Sequence, residues 1–285
     1  MARKLFCELG PTAYRISTQK EILLRDLKDL PLRGKFAREK GQELLPVKVK
    51  HHASLIRRRL GNVDMRLQEN KAVNLALAAP LVDRVLIRPG EIFSFWRLVG
   101  NPTAKRGFRE GLVIAGGGRT GSGVGGGMCQ FTNLIHWMVL HTDLTIVEHH
   151  HHDGVDLFPD FGRVIPFGTG TSILYNYLDY RFCNNTDRTY QLTVWVDDEY
   201  LNGEIRADAP QEHSYHIECR DEFFSREADG IYRNNEIWRR KIDVRTGDCV
   251  EETLLRKNHA KIAYDPAGLT VVDRTAPEEK KEETL

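Results

Sequence analysis

The spacing of hydrophobic positions differs between the two halves of the chain. In the first half they recur three and four residues apart, as in Ala72–Ala79 and Phe131–Met138, which predicts amphipathic helices. After Ser172, apolar and polar residues alternate, as in Tyr190–Val196, which predicts half-buried strands. Helices early and strands late, without βαβ alternation, indicate an α+β fold. We expect a cysteine-bearing helix packed on a mainly antiparallel sheet, with a helical N-terminal arm and a C-terminal β-hairpin extension.

Local signals predict where some of these elements end. Proline cannot donate a backbone hydrogen bond, so Pro80 is expected to end the helix that covers Gln68–Ala79. Residues Ile92–Trp96 alternate between apolar and polar side chains and are predicted to form a strand. A strand is also expected over Leu144–Glu148, and hairpin turns near Asp229 and Thr246.

Composition divides the chain into four segments: a basic helical arm (1–60), a core domain (61–208), a β-hairpin extension (209–270) and an acidic disordered tail (271–285). The arm holds 15 Lys and Arg against 6 Asp and Glu, although the whole chain has a net charge of +1. Such a surplus indicates either an anionic partner or a solvated helix face. Because no aromatic residues interleave the charges, we favour the solvated face and expect no nucleic-acid partner.

The overall composition is that of a soluble globular protein. Of 285 residues, 41% are hydrophobic and 28% are charged, and no run approaches the roughly 18 apolar residues of a transmembrane helix. The N-terminal residues do not form a signal-peptide core, so a cytoplasmic protein is expected. Five cysteines without a C-x-x-C pair argue against a disulfide framework or a zinc knuckle.

A glycine-rich stretch leads directly to Cys129. Eight glycines occur within residues 116–127, and the helical pattern begins just after them. Cys129 is thus expected at a helix N-terminus, where the helix dipole favours a thiolate; the alternative is an inert packing residue. Met128 and Cys129 stand where a P-loop needs lysine and serine or threonine, and no acidic residue completes a dinucleotide fingerprint. We therefore expect no cofactor.

Four consecutive histidines, His149–His152, follow the predicted strand that ends at Glu148. On an extended chain their side chains point alternately to opposite sides. An imidazole beside Cys129 would activate the thiol, with Glu148, Asp153 or Asp156 as the carboxylate that orients it. Two alternatives stay open: the histidines bind a divalent metal ion such as zinc, or most of them are exposed to solvent.

Several motifs, in this order, resemble the VanW family. They are Phe93-Ser94-Phe95, Val99-Gly100, Gly125-Gly126-Gly127-Met128-Cys129-Gln130, Val147-Glu148-His149-His150-His151-His152, Gly162 to Gly168, and Tyr175 to Phe182 with Asn184-Asn185-Thr186. The resemblance covers at least residues 68–206. Larger exported relatives in this family are thought to act as cysteine L,D-transpeptidases on peptidoglycan stem peptides.

The resemblance implies roles for several matching residues. Cys129 would be the nucleophile that forms the acyl intermediate and His152 its base, with His150 in reserve. Glu148 is included in the candidate site from the residues alone, as one of the carboxylates that could orient the base. The substrate, a peptidoglycan stem peptide or muropeptide precursor, would be bound by Gly125, Gly126, Gly127, Gln130 and Arg163. The sequence departs from the family pattern at His149, where arginine is usual, and at Asp153, where serine is usual.

Two classes of function are therefore compatible with the sequence. The first is a Cys-His acyl transferase of the L,D-transpeptidase or carboxypeptidase type, linked to cell-wall metabolism or glycopeptide resistance. The second is a binding module in which the glycine loop and Arg163 hold an anionic peptide or glycan without chemistry.

Overall fold

The computed structural model describes residues 5–58, 64–115, 119–151, 154–157, 159, 164–175 and 177–273. Within these ranges the α-helices are α1 (Pro11–Asp29), α2 (Met65–Val82), α3 (Phe95–Val99) and α4 (Cys129–Val139). Short 3-10 helices cover Phe6–Leu9, Leu30–Lys35 and Ala104–Arg106. His152, Asp153 and Arg163 lie outside the described residues.

Strands make up most of the remaining regular structure. In chain order they are β1 (Val47–Leu55), β2 (Val85–Ile87), β3 (Ile92–Ser94), β4 (Glu110–Ala115), β5 (Arg119–Val124), β6 (Thr145–Glu148), β7 (Val155–Asp156), β8 (Arg181–Cys183), β9 (Tyr190–Val196), β10 (Tyr200–Ala207), β11 (His213–Glu227), β12 (Gly230–Asp243), β13 (Cys249–Ile262) and β14 (Val271–Asp273). They form sheets ordered β1-β10-β9-β2, β14-β11-β12-β13-β7, β3-β8-β6 and β4-β5. Only β11 with β14 and β13 with β7 pair in parallel among these named strands.

The core lies between α4 and the sheet that contains β1 and β10. Phe131, Leu134 and Met138 of α4 are fully buried. A Cβ on Gly203 of β10 would lie 2.7 Å from Met138 Cε, so the glycine lets the helix approach the sheet closely. The predicted α+β architecture, with a cysteine-bearing helix on a mainly antiparallel sheet, is confirmed.

Two predicted element boundaries are wrong. Helix α2 continues through Pro80 to Val82, because a proline near the end of a helix removes one hydrogen bond while the fully buried Val82 keeps the last turn packed. The predicted strand Ile92–Trp96 ends at Ser94, whose side chain accepts a hydrogen bond from the Arg97 N–H and caps the short helix α3.

The C-terminal extension consists of long hairpins. Strand β12 pairs with β11 and β13 on either side, with turns near Asp229 and Thr246 as predicted. Residues Val271–Asp273, assigned by the sequence to the disordered tail, form β14 and pair with β11. Residues 274–285 lie outside the described ranges.

The N-terminal arm is attached to the core by ion pairs. Asp29 at the end of α1 is 2% exposed and forms a bidentate pair with Arg181 of β8, at 2.7 and 2.8 Å. Arg25 forms a second bidentate pair with Glu148 at the end of β6. Some charged side chains of the arm therefore form ion pairs within the protein. Among the described helices, none is long and apolar enough to cross a membrane.

Candidate active site

The approach to Cys129 is shaped by glycines. Gly125 and Gly127 have φ angles of 79° and 89°, in the left-handed region that other residues rarely adopt. A Cβ on Gly126 would lie 2.2 Å from the carbonyl carbon and oxygen of Gly111, so the two backbones are in direct contact. The three predicted substrate-binding glycines therefore define the path of the backbone that presents Cys129.

Asn74 of α2 holds this glycine loop in place. Its fully buried side chain donates hydrogen bonds of 3.0 Å to the carbonyl oxygens of Arg109 and Gly126. It also accepts a hydrogen bond of 2.8 Å from the Arg109 N–H. The amide thus satisfies backbone groups on both sides of the β4-β5 hairpin, which fixes the loop relative to α2.

Lys71, one turn before Asn74, also lies against the loop. Its side-chain carbons occupy the space where a Cβ on Gly127 would stand, and its ammonium donates a 2.7 Å hydrogen bond to Gln68 Oε1. Burial lowers the pKa of Lys71 to about 7. Sequence analysis missed both residues; the available signal was two polar side chains three positions apart on an otherwise apolar helix face.

Cys129 is the first residue of α4, as predicted, and part of its surface is accessible. The surrounding protein nevertheless desolvates the sulfur, and this burial raises the pKa of Cys129, although the backbone N–H groups of Ile173 and Cys129 oppose the rise. Burial therefore favours the thiol form of Cys129, whereas the sequence predicted a thiolate. A protonated thiol needs a base before it can act as a nucleophile.

An irregular segment, residues 169–173, lies beside the first turns of α4 and is named the linking segment. The Thr171 hydroxyl lies 3.3 Å from the carbonyl oxygen of Cys129 and 2.8 Å from Asn133 Oδ1. The Thr171 N–H donates to the same Asn133 oxygen at 2.6 Å. These contacts, together with the Ile173 N–H near the sulfur, fix the linking segment against Cys129.

The linking segment also holds the histidine run. The Ser172 N–H donates a 2.7 Å hydrogen bond to the carbonyl oxygen of His150. His149 Nε2 lies 3.1 Å from the carbonyl oxygen of Gly170. Because a carbonyl oxygen only accepts, the Nε2 of His149 carries the proton. Residues 169–173 are thus bonded to Cys129 and to the histidines at the same time.

Three imidazoles lie in a row, of which His136 is buried and His149 and His151 are partly exposed. The ring of His149 lies between those of His136 and His151, with centroid distances of 4.0 and 3.9 Å. His136 Nδ1 is 3.1 Å from the hydroxyl of the fully buried Tyr180. Burial holds the pKa of His136 well below its usual value, and the neighbouring imidazoles add to this effect. His136 is therefore neutral at pH 7, and its place next to the histidine run was not predicted.

Glu148 and His150 form the carboxylate-imidazole pair of the described site. Glu148 Oε1 lies 3.0 Å from His150 Nε2, and the same carboxylate is bound by Arg25 and by the Asp179 N–H. Burial tends to raise the pKa of Glu148, but these hydrogen bonds, led by that of Arg25, lower it overall. Glu148 is therefore ionised and can orient His150, the imidazole that sequence analysis held in reserve.

The side chain of Gln130 is engaged with β1. Its amide nitrogen donates to Ser54 Oγ at 2.9 Å and to the Leu55 carbonyl oxygen at 2.8 Å. These bonds join the N-terminus of α4, and hence Cys129, to the sheet. Gln130 was predicted to bind substrate, and the structure gives its amide nitrogen this anchoring contact.

Within the described part of the chain, no group of three His, Cys, Asp or Glu side chains could hold a metal ion. Asp156, one of the proposed orienting carboxylates, contacts Arg233 at 3.3 Å and the Tyr264 hydroxyl at 2.9 Å. It therefore serves in the attachment of the C-terminal extension. His152 and Asp153, which belong to the same run, lie outside the described residues.

Buried neutral imidazoles are expected to make stability depend on pH. Burial lowers the pKa of His141, just beyond α4, to about 4, compared with about 6.5 in an unfolded chain. The unfolded state binds more protons between these values, so the free energy of unfolding falls as the pH is lowered through this window. We expect His141→Gln to remove about 2 kcal/mol of that fall between pH 7 and pH 4, measured by urea unfolding. Equal pH dependence of the two proteins would contradict the assignment.

Comparison with known proteins identifies the family. The chain is 39% identical over 201 residues to the vancomycin B-type resistance protein VanW of Enterococcus faecalis (strain ATCC 700802 / V583), which covers 70% of this chain and 72% of that protein. Residues 70–206 match the family described as VanW like protein. The chain belongs to the VanW family. It is also 29% identical over 119 residues to the uncharacterized protein YoaR of Bacillus subtilis (strain 168), 41% of this chain and 36% of that protein.

The VanW match contains the whole candidate site. Cys129, the linking segment and the histidine run all lie within residues 70–206, whereas α1 and the strands from β11 onward lie outside that range. No solved structure matches the chain. The resemblance inferred from the motifs is thus confirmed, and the site described above belongs to the part of the chain that defines the family.

Proposed function

We propose that this VanW family protein is a cysteine-dependent acyl transferase of the L,D-transpeptidase or carboxypeptidase type. Its proposed substrate is a peptidoglycan stem peptide or a muropeptide precursor. One observation carries the proposal: the linking segment is hydrogen-bonded to Cys129 on one side and to His149 and His150 on the other. A thiol and a group of imidazoles are therefore held by one short piece of backbone, which is the combination that thiol catalysis needs.

The proposed reaction has two steps. A histidine takes the proton from Cys129 as the sulfur attacks a peptide carbonyl carbon, and the C–N bond then breaks. The departing amine receives the proton, and the acyl group remains on the sulfur as a thioester. An acceptor amine or water then attacks the thioester, which gives a new peptide bond or a free carboxylate and restores the thiol.

The base is assigned to the histidine run. His152 holds the position that the family resemblance gives to the base, and it lies outside the described residues. Among the described histidines, His150 is the one paired with a carboxylate, Glu148 at 3.0 Å. That pairing supports an oriented imidazole, since a carboxylate fixes both the tautomer and the ring position.

Because burial raises the pKa of Cys129, the proposed mechanism requires the base to remove the thiol proton during the attack rather than beforehand. For the developing oxyanion, the Gln130 N–H is already used by the Gly127 carbonyl oxygen at 3.1 Å. The N–H of Cys129 contacts its own sulfur, and we propose that it donates to the substrate oxygen once the sulfur attacks the carbonyl carbon. The similarity to a vancomycin B-type resistance protein supports a role in glycopeptide resistance.

Acylation of Cys129 is the direct test. Incubation with synthetic stem tetrapeptides and pentapeptides is expected to add the acyl part of the peptide to the intact protein, measured by mass spectrometry. Hydroxylamine should remove the adduct, because it cleaves thioesters. Cys129→Ala should abolish the adduct and lower turnover by at least about 1,000-fold, as expected for loss of a nucleophile.

Cys183→Ala is the matched control. Cys183 is also a free, partly exposed cysteine, and burial raises its pKa as well, but it lies on β8 away from the glycine loop. This variant should form the adduct at the wild-type rate. An adduct that persists in Cys129→Ala, or no adduct on the wild-type protein with any stem peptide, would rule out the acyl transferase.

A second candidate function, binding without chemistry, is favoured by the raised pKa of Cys129, since a thiol is a poor nucleophile. Calorimetric titration with the same peptides separates the two candidates. Binding that is equal in the wild-type protein and Cys129→Ala, without turnover in either, would establish the binding module.

A further inference from the structure

The N-terminal helix α1 has its polar side toward the protein. Arg25 is bound to Glu148, and Asp29 is bound to Arg97 and Arg181. Amphipathic helices at protein surfaces usually place apolar residues against the core and polar residues outside. The inward side of α1 therefore carries charged groups as well as the partly buried Ile22.

Other apolar residues form an exposed stripe. Ile16, Leu23, Leu27 and Leu30 are 55, 60, 52 and 46% exposed. Their spacings of seven, four and three residues place them on one side of the helix, and we call this set the α1 stripe. Gln19 and Lys20 occupy the turn between Ile16 and Leu23. Single exposed leucines are ordinary, but several apolar residues exposed on one side of a helix are typical of an interaction site.

Two further apolar side chains are exposed just before α1. Phe6 and Leu9, in the first 3-10 helix, are 55 and 65% exposed. Gly10, with a φ of 146°, separates this 3-10 helix from α1, so the two side chains add exposed apolar surface without continuing the helical spacing of the stripe.

Positive charge accompanies the stripe. The exposed cations between residues 15 and 35 are Arg15, Lys20, Lys28, Arg33 and Lys35. This range is fully described, and its exposed carboxylates are those of Glu21 and Asp26, with side chains 47 and 46% exposed; Asp26 contacts Arg97 at 3.2 Å. Lys20 and Glu21 are 3.5 Å apart in an exposed ion pair, which contributes little. The surface that accepts the stripe should therefore be apolar and negatively charged.

An anionic lipid bilayer meets both requirements. The leucines would enter the boundary between headgroups and acyl chains, and the cations would contact anionic headgroups. Lys20, whose position falls beside the stripe, can extend its charged end to the headgroups while its methylenes stay in the apolar zone. A second copy of the chain is less favourable, because two stripes in contact would bring together two surfaces with the same excess of positive charge.

We propose that the α1 stripe docks this protein on the surface of an anionic lipid bilayer, with α1 lying in the plane of the interface. Because the polar side of α1 stays bound to Glu148 and Arg181, the core would be held at the lipid surface without rearrangement. The proposal does not depend on catalysis at Cys129.

Vesicle cosedimentation tests this docking. The full chain should bind vesicles that contain phosphatidylglycerol, and bind at least about tenfold more weakly to pure phosphatidylcholine vesicles, since each cation near an anionic surface contributes about 1 kcal/mol. Leu23→Ser with Leu27→Ser should weaken binding to the anionic vesicles at least tenfold. These side chains are exposed, so the melting temperature of the variant should match that of the wild-type protein.

The control is Val244→Ser with Val250→Ser, a similar apolar loss at two exposed positions of the C-terminal extension, 61 and 53% exposed. This variant should bind vesicles as the wild-type protein does. Failure of the wild-type protein to bind anionic vesicles, or equal weakening by both double variants, would overturn the proposal. A third contrary result would be a dimer in solution, detected by light scattering, that does not bind vesicles. If Leu23→Ser with Leu27→Ser separated this dimer into monomers, the stripe would join two copies of the chain and the proposal would be overturned.

Discussion

Arg181→Met is expected to lower the free energy of unfolding by about 3–5 kcal/mol, because it removes one partner from a buried ion-pair network. Arg181 is 5% exposed, contacts Asp29 at 2.7 and 2.8 Å and Asp179 at 2.7 Å, and lies 3.6 Å from Glu148. Methionine fills a similar volume but offers no charge or donor. Several carboxylates would then be left without their guanidinium, and urea unfolding at pH 7 measures the loss.

The pH dependence of this loss gives a second check. Burial already raises the pKa of Asp179, and the charge of Arg181 opposes that rise. Without Arg181 the pKa rises further, so the carboxyl group is protonated more readily in the folded variant than in its unfolded state. The stability deficit should therefore be largest at neutral pH and shrink as the pH falls toward 5.

Arg57→Met is the control for the network. Arg57 pairs with Glu69 at 2.7 Å, but both side chains are exposed, at 38 and 55%. Exposed ion pairs contribute about 0–1 kcal/mol, so this variant should remain within about 0.5 kcal/mol of the wild-type protein. If the two arginine variants lost equal stability, burial of the network would not be the cause.

Gly126→Ala is expected to cost about 3 kcal/mol and to displace Cys129. The new Cβ would lie 2.2 Å from the backbone of Gly111, and backbone atoms cannot move aside as a flexible side chain can. Relief requires separation of the two strands of the β4-β5 hairpin or loss of the hydrogen bond from Asn74. Chemical denaturation measures the cost, and the rate at which stem peptides acylate Cys129 should fall with it.

Gly121→Ala provides a matched change in the same hairpin. Its Cβ would meet Val113 at 3.8 Å, an ordinary contact. Stability and acylation should therefore stay close to those of the wild-type protein. A Gly126→Ala protein that is as stable and as reactive as Gly121→Ala would show that the close contact with Gly111 does not position Cys129.

Local signals predicted the elements, and long-range contacts escaped prediction. The spacing of apolar residues after Cys129 predicted α4, and the alternation of apolar and polar residues predicted β9, because both patterns depend on residues close together in the sequence. The network of Arg181 joins Asp29 from 152 positions away, and nothing in the sequence near either residue indicates the other. The Ser94 cap was readable in principle, since serine before a helix is a known start signal, but alternation through Trp96 masked it.

The sequence predicted several residues of the candidate site, but it did not predict their pKa shifts. Glycines before a helix placed Cys129 correctly at the start of α4, and Glu148, a predicted orienting carboxylate, lies 3.0 Å from His150. The pKa of Cys129 was not predictable, because it depends on how much protein surrounds the sulfur and on the N–H of Ile173, 44 residues later. The roles of His152 and Arg163 stay predictions.

The distance along the chain between α1 and its ion-pair partners has a consequence for synthesis. Arg25 and Asp29 leave the ribosome 123 and 152 residues before Glu148 and Arg181. At roughly 5–20 residues per second, that interval lasts about 6 to 30 s. Because most of the stability of a helix comes from tertiary packing and the ion-pair partners Glu148 and Arg181 are made much later than α1, the newly made arm remains undocked while most of the core is translated. Attachment of α1 to the core is therefore a late event in synthesis of the protein. A nascent chain halted before Arg181 would carry its N-terminal leucines on a segment that is not yet attached to the core.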